Sequence, residues 1–241
     1  MNRSLGVTEF IREVLPEWAV PVLQLLSLPG DLLVIVPLLG LLYLWDVGGS
    51  LRSHSGEDQS LCSDHTAFLI AVVFGGLALI VLSKAIFSLP RPPETLHAVE
   101  PSEYGFPSGH TMAATITWGA MALWTTFGRR RMRIVGATLL VAFVGLSRLG
   151  LGVHYLVDVI AAVALATAYL AAAGRLTAVR PSRMFVVAVS IAVGAVLVTG
   201  GSSRALLALA GTSGAGVGWW LLERPPVRGQ LIRAFDKVVS S

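Results

Sequence analysis

The residues of this chain that are suited to chemistry are concentrated between positions 84 and 158, among long apolar runs. Several of these residues are cations. Arginine and lysine bind phosphoryl oxygens, and arginine does so through two parallel hydrogen bonds. Histidine can act as a nucleophile or move a proton near neutral pH. The combination indicates phosphoryl transfer through a phosphohistidine without a metal. The set consists of Lys84, Arg91, Ser108, Gly109, His110, Arg148, His154 and Asp158.

The run Pro107-Ser108-Gly109-His110 is predicted to open a helix. Ser108 resembles an N-cap residue, which is its structural interpretation. The free N–H groups and positive dipole end of a helix N-terminus also bind phosphate, and Gly109 lets an anion approach the backbone closely. His110, in the first turn, could then protonate a leaving group.

His154 and Asp158 are four residues apart and are predicted to share one face at the start of a helix. The carboxylate can hold one ring N–H of the histidine and leave the other nitrogen as a nucleophile. Alone, such a pair would be interpreted as a structural tie between two helices. Lys84 and Arg91 also have structural alternatives, as a snorkelling lysine and an interfacial anchor, although ionisable residues at membrane depth are functional candidates.

Composition places these residues in a membrane protein. The chain has 241 residues, of which 54% are hydrophobic and 13% are charged, whereas soluble proteins have about 25% charged residues. This excludes a disordered chain, a coiled coil, a nucleic-acid-binding domain and an ordinary soluble enzyme. The single cysteine, Cys62, excludes an intrachain disulfide and a cysteine-rich metal site. We expect an all-α, polytopic transmembrane helical bundle.

Runs without charges predict six to seven spans, since a spanning helix needs about 20 apolar residues. Asp31 after Pro29-Gly30 indicates a helix start. Residues 1–16 are predicted to form an amphipathic interfacial helix, with a frayed terminus as the alternative. Residues 17–223 would form the transmembrane domain, with core motifs at 84–158, and residues 224–241 a basic cytoplasmic tail. The helices are predicted near 28–46, 65–88, 109–127, 133–150, 154–173, 184–200 and 205–222.

Loop arginines predict the orientation of this bundle in the cell membrane. By the positive-inside rule the loops that hold them are cytoplasmic, so the motif residues face the extracytoplasmic side. The loop at 88–108 could gate the site, contact head groups or be plainly solvated. The arginines are Arg129, Arg130, Arg131, Arg133, Arg175, Arg180 and Arg183, and the polar residues of the 88–108 loop are Glu94, His97, Glu100, Glu103 and Tyr104.

The ordered motifs resemble the three-part signature of the type-2 phosphatidic acid phosphatase superfamily, which also includes vanadium-dependent haloperoxidases and glucose-6-phosphatase. All three parts agree in order and spacing, and the flanking apolar runs are similar to those of the integral-membrane lipid phosphatase branch. The resemblance implies a helical membrane bundle and a phosphatase that needs no metal or other cofactor. The parts are Lys84-x6-Arg91-Pro92, Pro107-Ser108-Gly109-His110 and Ser147-Arg148-x5-His154-x3-Asp158.

The resemblance also implies a role for each signature residue. His154 would attack phosphorus, Asp158 would orient it, and His110 would protonate the leaving oxygen. Pro92, Pro107 and Ser147 would support the site. The residues that would bind phosphate are Lys84, Arg91, Ser108, Gly109 and Arg148.

The expected substrate is a membrane lipid, because the site lies at head-group depth in the bilayer. Phosphatidic acid, phosphatidylglycerol phosphate and polyprenyl diphosphates all fit. Two alternatives remain: phosphotransferase or haloperoxidase-like chemistry on the same site, and a non-catalytic transporter or scaffold.

Overall fold

A computed structural model describes residues 5–53, 60–101 and 104–239. Across these ranges the chain forms ten α-helices and no β-strand, which confirms the all-α prediction. The helices are α1 (Leu5–Val14), α2 (Ala19–Ser27), α3 (Leu32–Arg52), α4 (Asp64–Phe87), α5 (Gly109–Trp124), α6 (Arg130–Gly150), α7 (Leu156–Thr177), α8 (Pro181–Thr199), α9 (Ser203–Leu222) and α10 (Pro225–Val239).

Six helices of the described ranges, α3, α4 and α6 to α9, are long and apolar enough to cross a membrane, so the protein is an integral membrane protein. Helix α5 has 16 residues, which makes it about 24 Å long at 1.5 Å per residue. It still runs between the two ends of the bundle. Its first residue, Gly109, packs against Lys84 at the end of α4, and near its other end Ala122 accepts a hydrogen bond from Arg133 in α6. The described ranges thus have six spans without α5 and seven with it, and both numbers agree with the predicted six to seven.

Helix α4 forms the centre of the bundle and packs against α5, α8 and α9. Its glycines allow close approach, as small residues do between membrane helices. A Cβ at Gly75 would lie 2.8 Å from the Ala188 Cβ in α8, and one at Gly76 would lie 2.7 Å from Ile116 in α5. The Tyr169 hydroxyl in α7 donates to the carbonyl of Val72 in α4 over 2.7 Å. The helices that carry the motifs are therefore held in a dense, fixed packing.

The start of α3 is fixed against α5. Asp31 is the N-cap that the sequence predicted, and its carboxylate accepts the N–H of Leu33 at 2.8 Å. The indole of Trp118 in α5 donates to the carbonyl of Pro29 at 3.0 Å. Gly30 is so close to the backbone carbonyl of His110 that any Cβ would collide with it. The Pro-Gly-Asp turn therefore both begins α3 and contacts the first turn of α5.

Both ends of the described chain are helical. Helix α1 lies within the predicted 1–16 segment and docks on the end of α6 and on the loop that follows it. Thr8 and Arg12 donate to the carbonyls of His154 and Gly150 at 3.1 and 3.3 Å. Helix α10 occupies the segment predicted as a basic tail at 224–241. The interfacial position of α1, the domain boundaries and the cytoplasmic side of the tail stay predictions.

Candidate active site

The signature residues meet at one end of the bundle because α4, α5, α6 and α7 alternate in direction. Lys84 lies at the end of α4 and Arg148 at the end of α6, while Ser108 precedes α5 and Asp158 lies in the first turn of α7. The backbone N–H of Ser108 donates to the Asp158 carbonyl at 3.1 Å, which joins the second and third motifs directly. Residues that are up to 74 positions apart in sequence thus line one site.

His154 lies between an arginine and a carboxylate. Its Nε2 is 3.2 Å from Arg91 Nη1, and its Nδ1 is 3.5 Å from Asp158 Oδ2. A guanidinium can only donate, so Nε2 must be the acceptor and the ring proton must be on Nδ1, facing the carboxylate. Burial, together with the charges of Arg91 and Arg148, lowers the pKa of His154 well below its usual value. The ring is therefore neutral, with the Nε2 lone pair directed toward the cations.

The local structure at His154 differs from the prediction in one respect. The sequence predicted a helix from residue 154, but α7 begins at Leu156. The reason is that Tyr155 takes the N-cap position and its N–H donates to Asp158 Oδ2 at 3.0 Å. The same carboxylate therefore caps the helix and faces the His154 ring. His154 itself lies in the preceding loop, where Arg91 donates to the neighbouring carbonyl of Val153 at 2.7 Å.

The first turn of α5 is available to an anion. Ser108 is buried at the N-cap position, but its hydroxyl caps none of the first-turn N–H groups; it lies 2.9 Å from the Thr111 hydroxyl instead. A Cβ at Gly109 would lie 3.2 Å from Lys84 Cε, so glycine leaves room for the lysine beside the helix end. Lys84 Nζ donates to the Tyr104 carbonyl at 2.7 Å. These groups form the positive helix terminus that the sequence predicted as a phosphate site.

Arginines complete this positive surface. Arg148 is 7% exposed, and its Nε has no hydrogen-bond partner among the described residues. A buried donor of this kind favours an anionic acceptor, since an unsatisfied polar group is costly. Burial and the charge of Arg148 lower the pKa of Arg91 to about 10, so Arg91 is still a cation at neutral pH. Both guanidiniums can therefore bind phosphate oxygens.

The three supporting residues are all buried. The Ser147 hydroxyl donates within its own helix, to the Val144 carbonyl at 2.7 Å. Pro92 and Pro107 lie within the loop between α4 and α5. These positions are consistent with supporting roles, which stay predictions.

The loop at 88–108 packs on the loop between α6 and α7, where the Ala98 N–H donates to the Leu151 carbonyl at 3.0 Å. Of its polar residues, Glu94, His97, Glu100 and Tyr104 are described, and Glu103 lies outside the described residues. A gating role for this loop stays a prediction.

Sequence reasoning missed a second carboxylate in the site. Asp31 Oδ2 lies 3.5 Å from His110 Nε2, and about a third of each side chain is exposed, 33% and 32%. The sequence assigned Asp31 only a capping function. One signal could have found it: the first predicted span begins at the same end of the bundle as the motif residues, which places the residue that caps it near them.

A cavity of about 430 Å³ opens beside His110. Its walls are mainly apolar side chains of α3, α4 and α9, including Val36, Phe74 and Leu207. Its polar end consists of Asp31, Lys84, Gly109, His110 and Arg204. The site therefore continues directly into an apolar cavity between membrane-spanning helices.

Comparison with known proteins agrees with this geometry. No curated protein sequence matches the chain. A crystal structure described as the first transmembrane PAP2 type phosphatidylglycerolphosphate phosphatase from Bacillus subtilis has a similar fold, with a TM-score of 0.57 and 21% sequence identity over 70% of this chain and 82% of that one. The model of the PAP2 superfamily matches residues 65–182, which contain all three motifs. This region of the chain, which carries the three motifs, thus belongs to the PAP2 superfamily.

Proposed function

We propose that this protein is a metal-independent lipid phosphatase that hydrolyses a lipid phosphate or diphosphate through a phosphohistidine at His154. The observation that carries the proposal is the buried His154 ring. Its Nε2 lies beside Arg91, and its Nδ1 faces Asp158. This arrangement makes one nitrogen a nucleophile and places a cation where a phosphate oxygen would bind.

In the first step, His154 Nε2 attacks phosphorus and the bond from phosphorus to the leaving oxygen breaks. His110 gives its proton to that oxygen as the bond breaks. Asp158 stabilises the positive charge that develops on the His154 ring, and Arg91, Arg148 and Lys84 bind the phosphoryl oxygens. Mutagenesis of such prearranged donors gives rate effects on the order of 10²–10³ for each donor.

In the second step, water attacks the phosphorus of the phosphohistidine. His110, neutral after the first step, takes a proton from that water, and the phosphorus–nitrogen bond breaks. Phosphate leaves, and both histidines return to their starting states. Asp31 is the positioning residue for His110, since its carboxylate lies 3.5 Å from His110 Nε2 and can hold the ring through both proton transfers.

A lipid substrate is supported by the apolar cavity that opens at His110. A phosphate at the polar end of this cavity would have its apolar tail between α3, α4 and α9. The similar Bacillus subtilis protein is described as a phosphatase of a lipid phosphate. The arginine-rich start of α6 lies at the opposite end of the bundle, so the positive-inside rule favours an extracytoplasmic site.

The test is phosphate release by detergent-purified protein in the presence of EDTA. The substrates are phosphatidic acid, phosphatidylglycerol phosphate, a polyprenyl diphosphate and a water-soluble phosphate ester. Wild type is compared with His154→Ala and with a matched control, His65→Ala. His65 is exposed at the opposite end of the bundle, at the start of α4. A parallel reaction with labelled substrate is quenched in alkali, which preserves phosphohistidine.

We expect the wild type and His65→Ala to release phosphate from a lipid and to carry the label. His154→Ala should lose both properties, with a rate loss on the order of 10⁶, as for other covalent nucleophiles. Release that is equal in wild type and His154→Ala would refute the proposed nucleophile. Release that needs a divalent ion would refute the metal-independent reaction.

A further inference from the structure

Arg204 lies at the polar end of the apolar cavity, outside residues 65–182 that match the family model. It is the second residue of α9, and its side chain is exposed. The same cavity is lined by Lys84, Gly109 and His110. Helix α9 therefore adds a cation next to the predicted acid and phosphate-binding residues.

The position of Arg204 relative to the two histidines decides which part of a substrate it can meet. His110 lines the cavity, whereas His154, Arg91 and Arg148 are absent from its lining. In phosphoryl transfer the attacking and leaving groups lie roughly in line, on opposite sides of phosphorus. With His154 as the attacking group and His110 as the acid, the leaving group lies on the cavity side, where Arg204 is.

The charge around Arg204 favours an anion at this position. Within the described chain, Arg204 has no hydrogen bond or ion pair to a carboxylate, and its charge acts on Lys84 and Arg91. The nearby carboxylates, Asp31 and Asp158, each face a histidine. An anionic group between Arg204 and Lys84 would relieve the repulsion between these cations.

We propose that Arg204 binds a second phosphate on the leaving-group side of the substrate, so that lipids with two phosphates are preferred over lipids with one. This proposal rests on the proposed function. In a diphosphate the oxygen released from the scissile phosphorus belongs to the second phosphate. His110 protonates that oxygen while Arg204 binds the other oxygens of the same group. Arginine suits this role because its planar fork matches phosphate oxygens.

The cavity also fits the rest of such a lipid. It shares Val36 and Phe74 with a second, almost wholly apolar cavity of about 310 Å³, whose lining reaches Tyr43 and Trp219. The two cavities follow the α3, α4 and α9 surfaces toward the opposite end of the bundle. A long apolar tail can therefore follow the second phosphate into the membrane region.

The test compares kcat/KM of wild type, Arg204→Gln and Arg204→Lys on three lipids with two or one phosphates. A polyprenyl diphosphate has adjacent phosphates, phosphatidylglycerol phosphate has two phosphates separated by glycerol, and phosphatidic acid has one. The matched control is Arg130→Gln, which removes an exposed arginine from the start of α6 at the other end of the bundle. Thermal unfolding of each variant checks that the fold is retained.

We expect Arg204→Gln to lose about tenfold or more in kcat/KM on a two-phosphate lipid, the scale of one charge-assisted pair, and less than about twofold on phosphatidic acid. Arg204→Lys should recover part of the loss. A loss of kcat/KM on only one of the two-phosphate lipids supports the subsite. Which lipid is affected shows whether the two phosphates that the site binds are adjacent or separated by glycerol.

Equal losses on all three lipids, or no loss on any, would overturn the second-phosphate site while the wild-type activity still supports the phosphatase. A wild type that hydrolyses none of the lipids would instead reject the proposed function, and the Arg204 proposal with it.

Discussion

Two histidine–aspartate pairs in this site have the same separation and different surroundings. In each pair a ring nitrogen lies 3.5 Å from a carboxylate oxygen. His154 and Asp158 are at most 1% exposed, whereas His110 and Asp31 are about one-third exposed, at 32% and 33%. The first pair is local, across the start of α7, and the second joins α5 to the start of α3. The same two residue types are thus placed in a dry environment and in an open one.

In the proposed reaction, the difference in burial suits the two histidines to different roles. A nucleophilic histidine must be unprotonated, and burial among cations keeps His154 neutral. A histidine that gives a proton to a leaving group and takes one from water must have access to both, and His110 borders the open cavity. In this proposal the two histidines take different roles because of their environments, since the side chains are the same.

Replacing each aspartate with asparagine should give the largest difference in activity between the two histidine–aspartate pairs. Asp158→Asn should reduce kcat by about 10³–10⁴, because a neutral amide no longer stabilises the positive charge that develops on the His154 ring. Asp31→Asn should cost only about tenfold, because water can partly replace a second partner at an exposed pair. Steady-state kinetics on one lipid substrate would measure both losses.

Asparagine is the appropriate substitution at both positions because each aspartate also caps a helix. Asp31 accepts the Leu33 N–H and Asp158 accepts the Tyr155 N–H, and an asparagine oxygen can replace both. Unfolding temperatures close to that of the wild type would show that the caps are retained. Equal kinetic losses in two folded variants would contradict the assignment of the pairs to different roles.

The leaving group provides the next comparison. His110→Ala should lose about 10²–10⁴ in kcat/KM on a lipid phosphate, whose alkoxide leaves poorly without a proton. On a nitrophenyl phosphate the loss should fall to about tenfold or less, since this leaving group needs little protonation. His154→Ala should lose activity on both. A loss at His110→Ala that is independent of the leaving group would exclude His110 as the acid of the first step.

The local features of the site could be predicted from the sequence. The signature residues, the helix start at Gly109 and the cap at Asp31 follow from short patterns, because a motif and a cap each depend on a few neighbouring residues. The start of α7 was placed two residues early, since apolar periodicity does not reveal that Tyr155 takes the N-cap and leaves His154 in the loop.

The pairing of His110 with Asp31 could not be predicted in the same way. The two residues are 79 positions apart, and their contact depends on how the first span packs. Gly30 against the His110 carbonyl and Trp118 on Pro29 produce this contact. The hydrogen bond from Thr8 to the His154 carbonyl likewise needs the docking of α1. Long-range contacts of this kind depend on packing between helices, which a single sequence does not encode as a readable pattern.

The pH dependence of the rate should reveal the burial of His154, with a smaller effect than the substitutions above. Because its pKa is lowered, by burial first and then by Arg91, the acid limb of kcat should lie well below the ordinary histidine pKa of about 6.5. Removing one positive charge in Arg91→Gln raises the pKa of His154, so the limb should move to higher pH while burial keeps it below that of free histidine. The groups that face His154 are Arg91, Arg148, Lys84, His110 and Asp158.

The lowered pKa of His154 also makes the free energy of unfolding depend on pH, and this dependence can be measured independently of the rate. Below about pH 6.5 the unfolded chain binds a proton at His154 that the native site refuses, so the stability falls by up to about 1.4 kcal/mol per pH unit until the native pKa is reached. Rates and unfolding temperatures of wild type and Arg91→Gln between about pH 4 and 8 would measure both effects. A wild-type acid limb near the ordinary histidine pKa would mean that the buried ring is protonated as easily as a free one, and the contrast between the two pairs would no longer explain which histidine attacks.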